Sequence, residues 1–138
     1  MTGHQGPLLV LGATGRLGRL IRAVWPQDTP ALWQSRKPQD GYLACDIMKD
    51  AEGLAHMMQG ASAVICLAGV TSSRARKAGA SLRDNSLLAQ ATVQAAARSG
   101  VPRVFLASSA AVYGRAPSPL HEGIVGTALS PYGQAKYE

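Results

Sequence analysis

The run Leu8-Leu9-Val10-Leu11 stops at a glycine, and Leu17, Leu20, Ile21 and Val24 follow at helical spacing. Glycines stand at positions 12, 15 and 18 between the strand-like run and the helical pattern. A short, wholly apolar run suits a strand buried on both faces. A glycine turn feeding such a strand straight into a helix favours a crossover connection, and with it a parallel sheet. The rest of the chain repeats the alternation. Pro26 and Pro30 close the first unit, and Ala31-Leu32-Trp33 and Tyr42-Leu43-Ala44-Cys45 read as the second and third strands. Residues 50–59 are predicted helical, with Leu54, Met57 and Met58 as the apolar side, and Ala63–Leu67 is the clearest central strand. A longer helix is expected over residues 80–98, stopping at Ser99-Gly100, with Val104–Ala107 as a fifth strand. Residues 114–130 read as a loop, and Pro131 as the first-turn proline of a helix beginning near Tyr132. The expected class is α/β, a parallel sheet with helices on both faces.

At 138 residues the chain fits one domain able to bury a core, and its 46% apolar content suits a globular protein. The net charge of +6 raises the question of nucleic acid. The basic residues are dispersed, however, apart from Arg74, Arg76 and Lys77 in the segment after the fourth strand, which reads by default as a solvated loop and alternatively as one facing an anionic cofactor or substrate. The sole phenylalanine, Phe105, lies inside an apolar run, so no aromatic stacking platform is visible and no nucleic-acid partner is expected. Cys45 and Cys66 sit in apolar stretches and form neither a disulfide framework nor a metal spacing, and His4, His56 and His121 are scattered. Without a signal-peptide pattern or a membrane-length apolar stretch, the expectation is a soluble, cytoplasmic protein that engages no membrane.

The glycines at 12, 15 and 18 carry the first chemical argument. The first permits a tight turn, the second a close approach of backbone to a pyrophosphate, and the third close packing of helix on strand. The helix N-terminal amides then receive the phosphate charge. Thr14, Arg16 and Leu17 share this loop. At the end of the second strand, where an acidic residue accepts the ribose 2′-hydroxyl of NAD, the chain reads Gln34-Ser35-Arg36-Lys37. Two cations there favour a 2′-phosphate, so the expected cofactor is NADP or NAD, with NADP weakly preferred. Asp46, after a short strand, can accept from the adenine amino group, and Ala68-Gly69 offers a small-residue shelf past the fourth strand.

Ser109, Tyr132 and Lys136 carry the second argument. Lys136 lies four residues after Tyr132, so both fall on one face of the expected helix. An ammonium beside a phenol favours the phenolate, which lets a tyrosine take a hydroxyl proton as hydride leaves carbon, or return one to a carbonyl. A serine after the fifth strand can hydrogen-bond the reacting oxygen.

In this order, Gly12-Ala-Thr-Gly-Arg-Leu-Gly18, Asp46-Ile47, Leu67-Ala68-Gly69, Asn85, Ser108–Gly114 and Tyr132-Gly-Gln-Ala-Lys136 resemble the N-terminal part of an extended short-chain dehydrogenase/reductase of the NAD-dependent epimerase/dehydratase superfamily. The resemblance implies a Rossmann-type sheet that stops before the last strands and the C-terminal substrate domain. Residues 1–138 would thus be an NAD(P)-binding domain incomplete at its C-terminus, in a family that is often homodimeric. It implies Tyr132 as catalytic acid–base, Lys136 as its assistant and a ligand of the nicotinamide ribose, and Ser109 positioning the substrate oxygen. Asn85 would belong to the helix supporting the site, Tyr113 would flank the substrate pocket, and Glu122 stands where relatives often carry an acid. Dehydratases of the family place threonine-aspartate-glutamate where this chain has Ser109-Ala110-Ala111, so 4,6-dehydration is not expected. Epimerisation or net oxidation–reduction of a nucleotide-sugar-like substrate remains, with a carbonyl reductase, a non-catalytic dinucleotide-binding module and an inactive fragment as alternatives.

Overall fold

The computed structural model describes residues 6–78 and 81–138, without the side chains of residues 76–78. His4, the side chains of Arg76 and Lys77, and the expected helix start at residue 80 lie outside the described residues. The elements are β1 (Leu8–Leu11), α1 (Arg16–Ala23), β2 (Ala31–Ser35), β3 (Leu43–Ala44), α2 (Ala51–Met58), β4 (Ala63–Cys66), α3 (Ser72–Ala78), α4 (Asp84–Arg98), β5 (Val104–Leu106), a 3-10 turn (Ala110–Tyr113) and α5 (Pro131–Tyr137). They form two compact units. The first comprises residues 1–68 and 88–107, and the second residues 69–87 and 108–138.

The first unit holds a five-stranded sheet in the order β3-β2-β1-β4-β5, with every pair parallel. From β1 the chain moves one way to β2, and from β3 it returns the other way to β4 and β5. Right-handed crossovers then put α1 on one face and α2 and α4 on the other. The register sorts the side chains accordingly. Leu9 and Leu11 align with Val64 and Cys66, and Val64 with Val104. These residues, with Leu54 and Met58 of α2 and Ala95 and Ala96 of α4, make one continuous apolar core. Buried alanines on α4 let that helix lie close to the sheet. Ser99 Oγ, just past its end, donates to the Ala55 carbonyl at 2.7 Å and ties α4 to α2.

On the other face Val10 of β1 and Ala63 of β4 are buried. Gly18 is buried, and a Cβ there would stand 2.6 Å from the Ala13 backbone, so α1 docks through its glycine. Its apolar residues do not all follow: Leu17, Leu20 and Val24 are 52%, 60% and 80% exposed. The expected helix forms, but its apolar residues Leu17 and Leu20, with Val24 at its C-terminal cap, stay largely exposed. Phe105, expected inside an apolar run, is 54% exposed because β5 is the edge strand. At the opposite end, Trp25 packs edge-on against Trp33 with ring centroids 5.3 Å apart, while the Arg22 guanidinium lies 4.1 Å from the Tyr42 ring centroid.

Several expected boundaries shift. β2 runs on through Gln34 and Ser35, and β3 is only Leu43–Ala44. The segment carrying Arg74, Arg76 and Lys77 is helix rather than loop. Its start is set by Thr71, whose Oγ1 accepts the Arg74 N–H at 3.3 Å, a side-chain cap. The long helix begins at Asp84. The 3-10 turn falls at the edge of the expected loop.

Candidate functional site

In the first unit the glycine loop is built as its residue types dictate. Gly12 adopts φ +73°, a left-handed conformation, and a Cβ there would lie 2.6 Å from the Ala68 N. The turn closes with the Gly15 N–H donating to the Gly12 carbonyl at 3.0 Å. Gly15 is the N-cap of α1 and makes no side-chain cap, and no acidic residue occupies the first turn. The N-terminal amides of α1 therefore carry neither a side-chain cap nor a neighbouring carboxylate. Thr14 is half-buried, while Arg16 and Leu17 are exposed at the loop. Ala68, half-buried after β4, lies against Gly12 backbone to backbone. Leu67 continues β4, its N–H donating to the Leu11 carbonyl at 3.0 Å.

Beyond β2, Arg36 and Lys37 are exposed in a tight turn in which Ser35 Oγ donates to the Lys37 carbonyl at 2.7 Å. Asp46 spends one carboxylate oxygen on its own turn, Oδ1 accepting the Met48 N–H at 3.0 Å. The Ile47 side chain is buried in the core, so only its backbone can face a ligand. Cys45 is buried beside this turn, and burial, reinforced by the negative charges of Asp50 and Asp46, pushes its thiol up from the ordinary value.

The second unit gathers the acid–base residues. Ser109 caps the 3-10 turn, its Oγ accepting the Ala111 N–H at 3.2 Å. α5 starts at Ser130, whose Oγ accepts the Gly133 N–H at 3.0 Å, with Pro131 in the first turn. α5 packs on the 3-10 turn through Gly133, where a Cβ would stand 2.5 Å from the Ala111 carbonyl oxygen. Tyr132 and Lys136 flank this contact, one turn apart and half-buried. Asn85, 4% exposed, holds the segment after β4. Its Oδ1 accepts the Val70 N–H at 2.9 Å, and its Nδ2 donates to the Val70 and Leu82 carbonyls, each at 3.0 Å. Gly69 sits where Asn85 and Lys136 converge. A Cβ on it would lie 2.8 Å from Asn85 Oδ1 and 3.2 Å from Lys136 Nζ.

Gly133, Ser130 and Gln34 have structural roles here that the motif pattern alone does not announce. A glycine between Tyr132 and Lys136 costs helix stability, and that cost was the available signal of a close backbone approach. Glu122 and His121 are exposed on the loop, and the His121 Nδ1 accepts the Gly123 N–H at 3.2 Å. Among the described residues no group of histidine, cysteine or acidic side chains could hold a metal, and no helix is long and apolar enough to cross a membrane.

The sheet order and the glycine loop together define a Rossmann-type α/β fold. The chain belongs to the NAD dependent epimerase/dehydratase family, whose model matches residues 8–138. Among solved structures it is similar to MoeE5 in complex with UDP-glucose and NAD, at 30% identity and a TM-score of 0.77 over 95% of this chain and 46% of that one. Uronate dehydrogenase from Agrobacterium tumefaciens shares 25% identity with a TM-score of 0.75, over 95% of this chain and 52% of that one. RMD from Pseudomonas aeruginosa complexed with NADPH shows the same fold, at 24% identity and a TM-score of 0.72 over 95% and 45%. The chain thus spans about half the length of the solved structures it matches. No curated protein sequence matches it.

Proposed function

We propose that the protein binds a nicotinamide dinucleotide and belongs to an enzyme that moves hydride at a hydroxyl or carbonyl carbon, as an epimerase or dehydrogenase of a nucleotide-sugar-like substrate. One observation carries the reading most directly. The glycine contact between α5 and the 3-10 turn holds the helix of Tyr132 and Lys136 against the turn that Ser109 caps.

The glycine loop fits the cofactor. Gly12 and Gly18 let the loop and the start of α1 close tightly against Ala68 and Ala13, where a Cβ would strike backbone, and the first turn of α1 has amides and no carboxylate of its own. Arg36 and Lys37 would hold a 2′-phosphate, the basis for preferring NADP, and Asp46 would accept from the adenine amino group. Bound there, the nicotinamide ring supplies the hydride acceptor or donor. Tyr132 takes the proton of the substrate hydroxyl during oxidation and gives it back during reduction. Ser109 keeps its O–H as a donor to that oxygen because its own lone pair is engaged by the Ala111 N–H. Lys136 holds positive charge one turn below the phenol and would bond the nicotinamide ribose. Ala110 and Ala111 offer no acid for eliminating water, which leaves epimerisation and oxidation–reduction.

Calorimetric titration of the chain with NADPH and NADH in parallel tests the nucleotide half of the reading. Saturable binding is the expected result, and no binding to either dinucleotide refutes it. UDP-sugar turnover by the chain, or by a version extended to the length of its relatives, tests the chemical half. It should fall on the order of a hundredfold or more in Tyr132→Phe. Cofactor binding without turnover in the extended protein would favour a binding module instead.

A further inference from the structure

The glycine loop has a support that no part of its motif names. Gln34 is 2% exposed and lies on the inward face of β2, in step with Leu32 of the core. Its side-chain Oε1 accepts the Gly12 N–H at 2.7 Å, and its Nε2 donates to the Cys45 carbonyl at 2.6 Å. Its backbone carbonyl accepts the Ala13 N–H at 3.1 Å. One residue therefore grips two successive amides of the loop while anchoring to the chain just before Asp46. Gly12 is held from both sides, its N–H by Gln34 and its carbonyl by Gly15.

We propose that Gln34 is the positioning residue of the dinucleotide loop, fixing Gly12 in its left-handed shape and setting the span between the phosphate-facing loop and the Cys45–Ile47 segment. The inference rests on the dinucleotide reading for its functional consequence, but the grip on the loop belongs to the free chain. An amide suits the place because the two bonds have opposite polarity, an acceptor toward Gly12 and a donor toward Cys45. A carboxylate would present no proton to the Cys45 carbonyl, and an apolar side chain would leave a buried N–H and a buried carbonyl unpaired. Buried polar networks of this kind specify geometry when every member is satisfied. Asp46 is the next residue after the anchored carbonyl, so the same amide links the adenine-side segment to the pyrophosphate-side turn.

The test compares the wild-type chain with Gln34→Met by amide exchange and by NADPH titration, at a temperature where both are folded. Protection of the Gly12 N–H in the ligand-free chain should fall about tenfold or more, and NADPH affinity should fall by a similar factor. A lowered melting temperature with Gly12 protection and NADPH affinity unchanged would assign Gln34 a packing role alone and overturn the proposal. If Gln34→Met does not fold, the wild-type chain decides. The Gln34 side-chain amide protons must exchange slowly and shift on NADPH binding, and fast exchange with no shift overturns the proposal. A wild-type chain that binds no dinucleotide refutes the functional reading separately, because Gly12 protection is read without ligand.

Discussion

Asn85 clamps Val70 with both ends of its side-chain amide, accepting its N–H at 2.9 Å and donating to its carbonyl at 3.0 Å. In effect the side chain replaces a strand neighbour for one residue of the segment that leaves β4. Asn85→Leu removes the clamp and leaves two backbone groups unpaired in a buried place. The expected loss is about 2 kcal/mol or more, measured by denaturant unfolding. Asn85→Asp keeps the acceptor and should recover part of it.

The two basic residues past β2 make a prediction about selectivity. Arg36 and Lys37 are exposed, and no acidic side chain stands in their turn. Replacing both with alanine should lower NADPH affinity about tenfold while leaving NADH affinity unchanged, since only the 2′-phosphate is addressed. An unchanged NADPH/NADH ratio would remove these residues from the phosphate site.

Gly12 and Gly60 separate strain from crowding. Both adopt a left-handed φ, +73° and +74°, but a Cβ at Gly60 meets nothing within 4 Å, whereas one at Gly12 runs into the Ala68 backbone. Gly60→Ala should cost only the conformational strain, about 1–2 kcal/mol. Gly12→Ala adds overpacking of about 1–3 kcal/mol and should also abolish dinucleotide binding. Thermal unfolding of the two variants side by side checks the difference.

Cys45 gives a pH prediction. Its thiol is raised by burial first, then by the charges of Asp50 and Asp46. The unfolded chain therefore ionises this group first as pH rises, and unfolding is favoured by the proton it releases. The stability held at neutral pH should decline above the ordinary thiol value of 9.0 and continue to fall through the raised folded value. Cys45→Ser should remove that part of the slope. Thiol reagents at pH 8 should label Cys45 at least about tenfold more slowly in the folded than in the unfolded chain.

Much of this molecule is legible in its sequence because its strongest features are local. The apolar runs at Leu8–Leu11 and Ala63–Cys66, the glycine turn and Pro131 at the start of α5 each act through neighbours a few residues away. What escaped depends on pairings across the fold. Gln34 reads as one more polar residue until β2 is seen to extend past Trp33, which turns its side chain toward Gly12, 22 residues distant in sequence. The α3 segment looked like loop because its three cations have no apolar periodicity, while the Thr71 cap that starts it is a single hydroxyl. Leu17, Leu20 and Val24 have the pattern of a buried stripe, but whether a stripe is buried depends on what stands across from it. For the acid–base residues, the type and spacing of Tyr132 and Lys136 were readable, and the role of Gly133 between them was not.

The β5 strand, paired on one side with β4 and carrying the half-exposed Phe105 and Leu106, has a practical meaning for anyone handling the protein. Among the described residues β5 is the outer strand of the sheet, and an apolar outer strand is a general risk for pairing between chains. Protein concentration is therefore an experimental variable in its own right, to be fixed before any titration or melt is compared with another. Phe105→Lys is the simplest way to quiet that edge without changing a residue of the glycine loop.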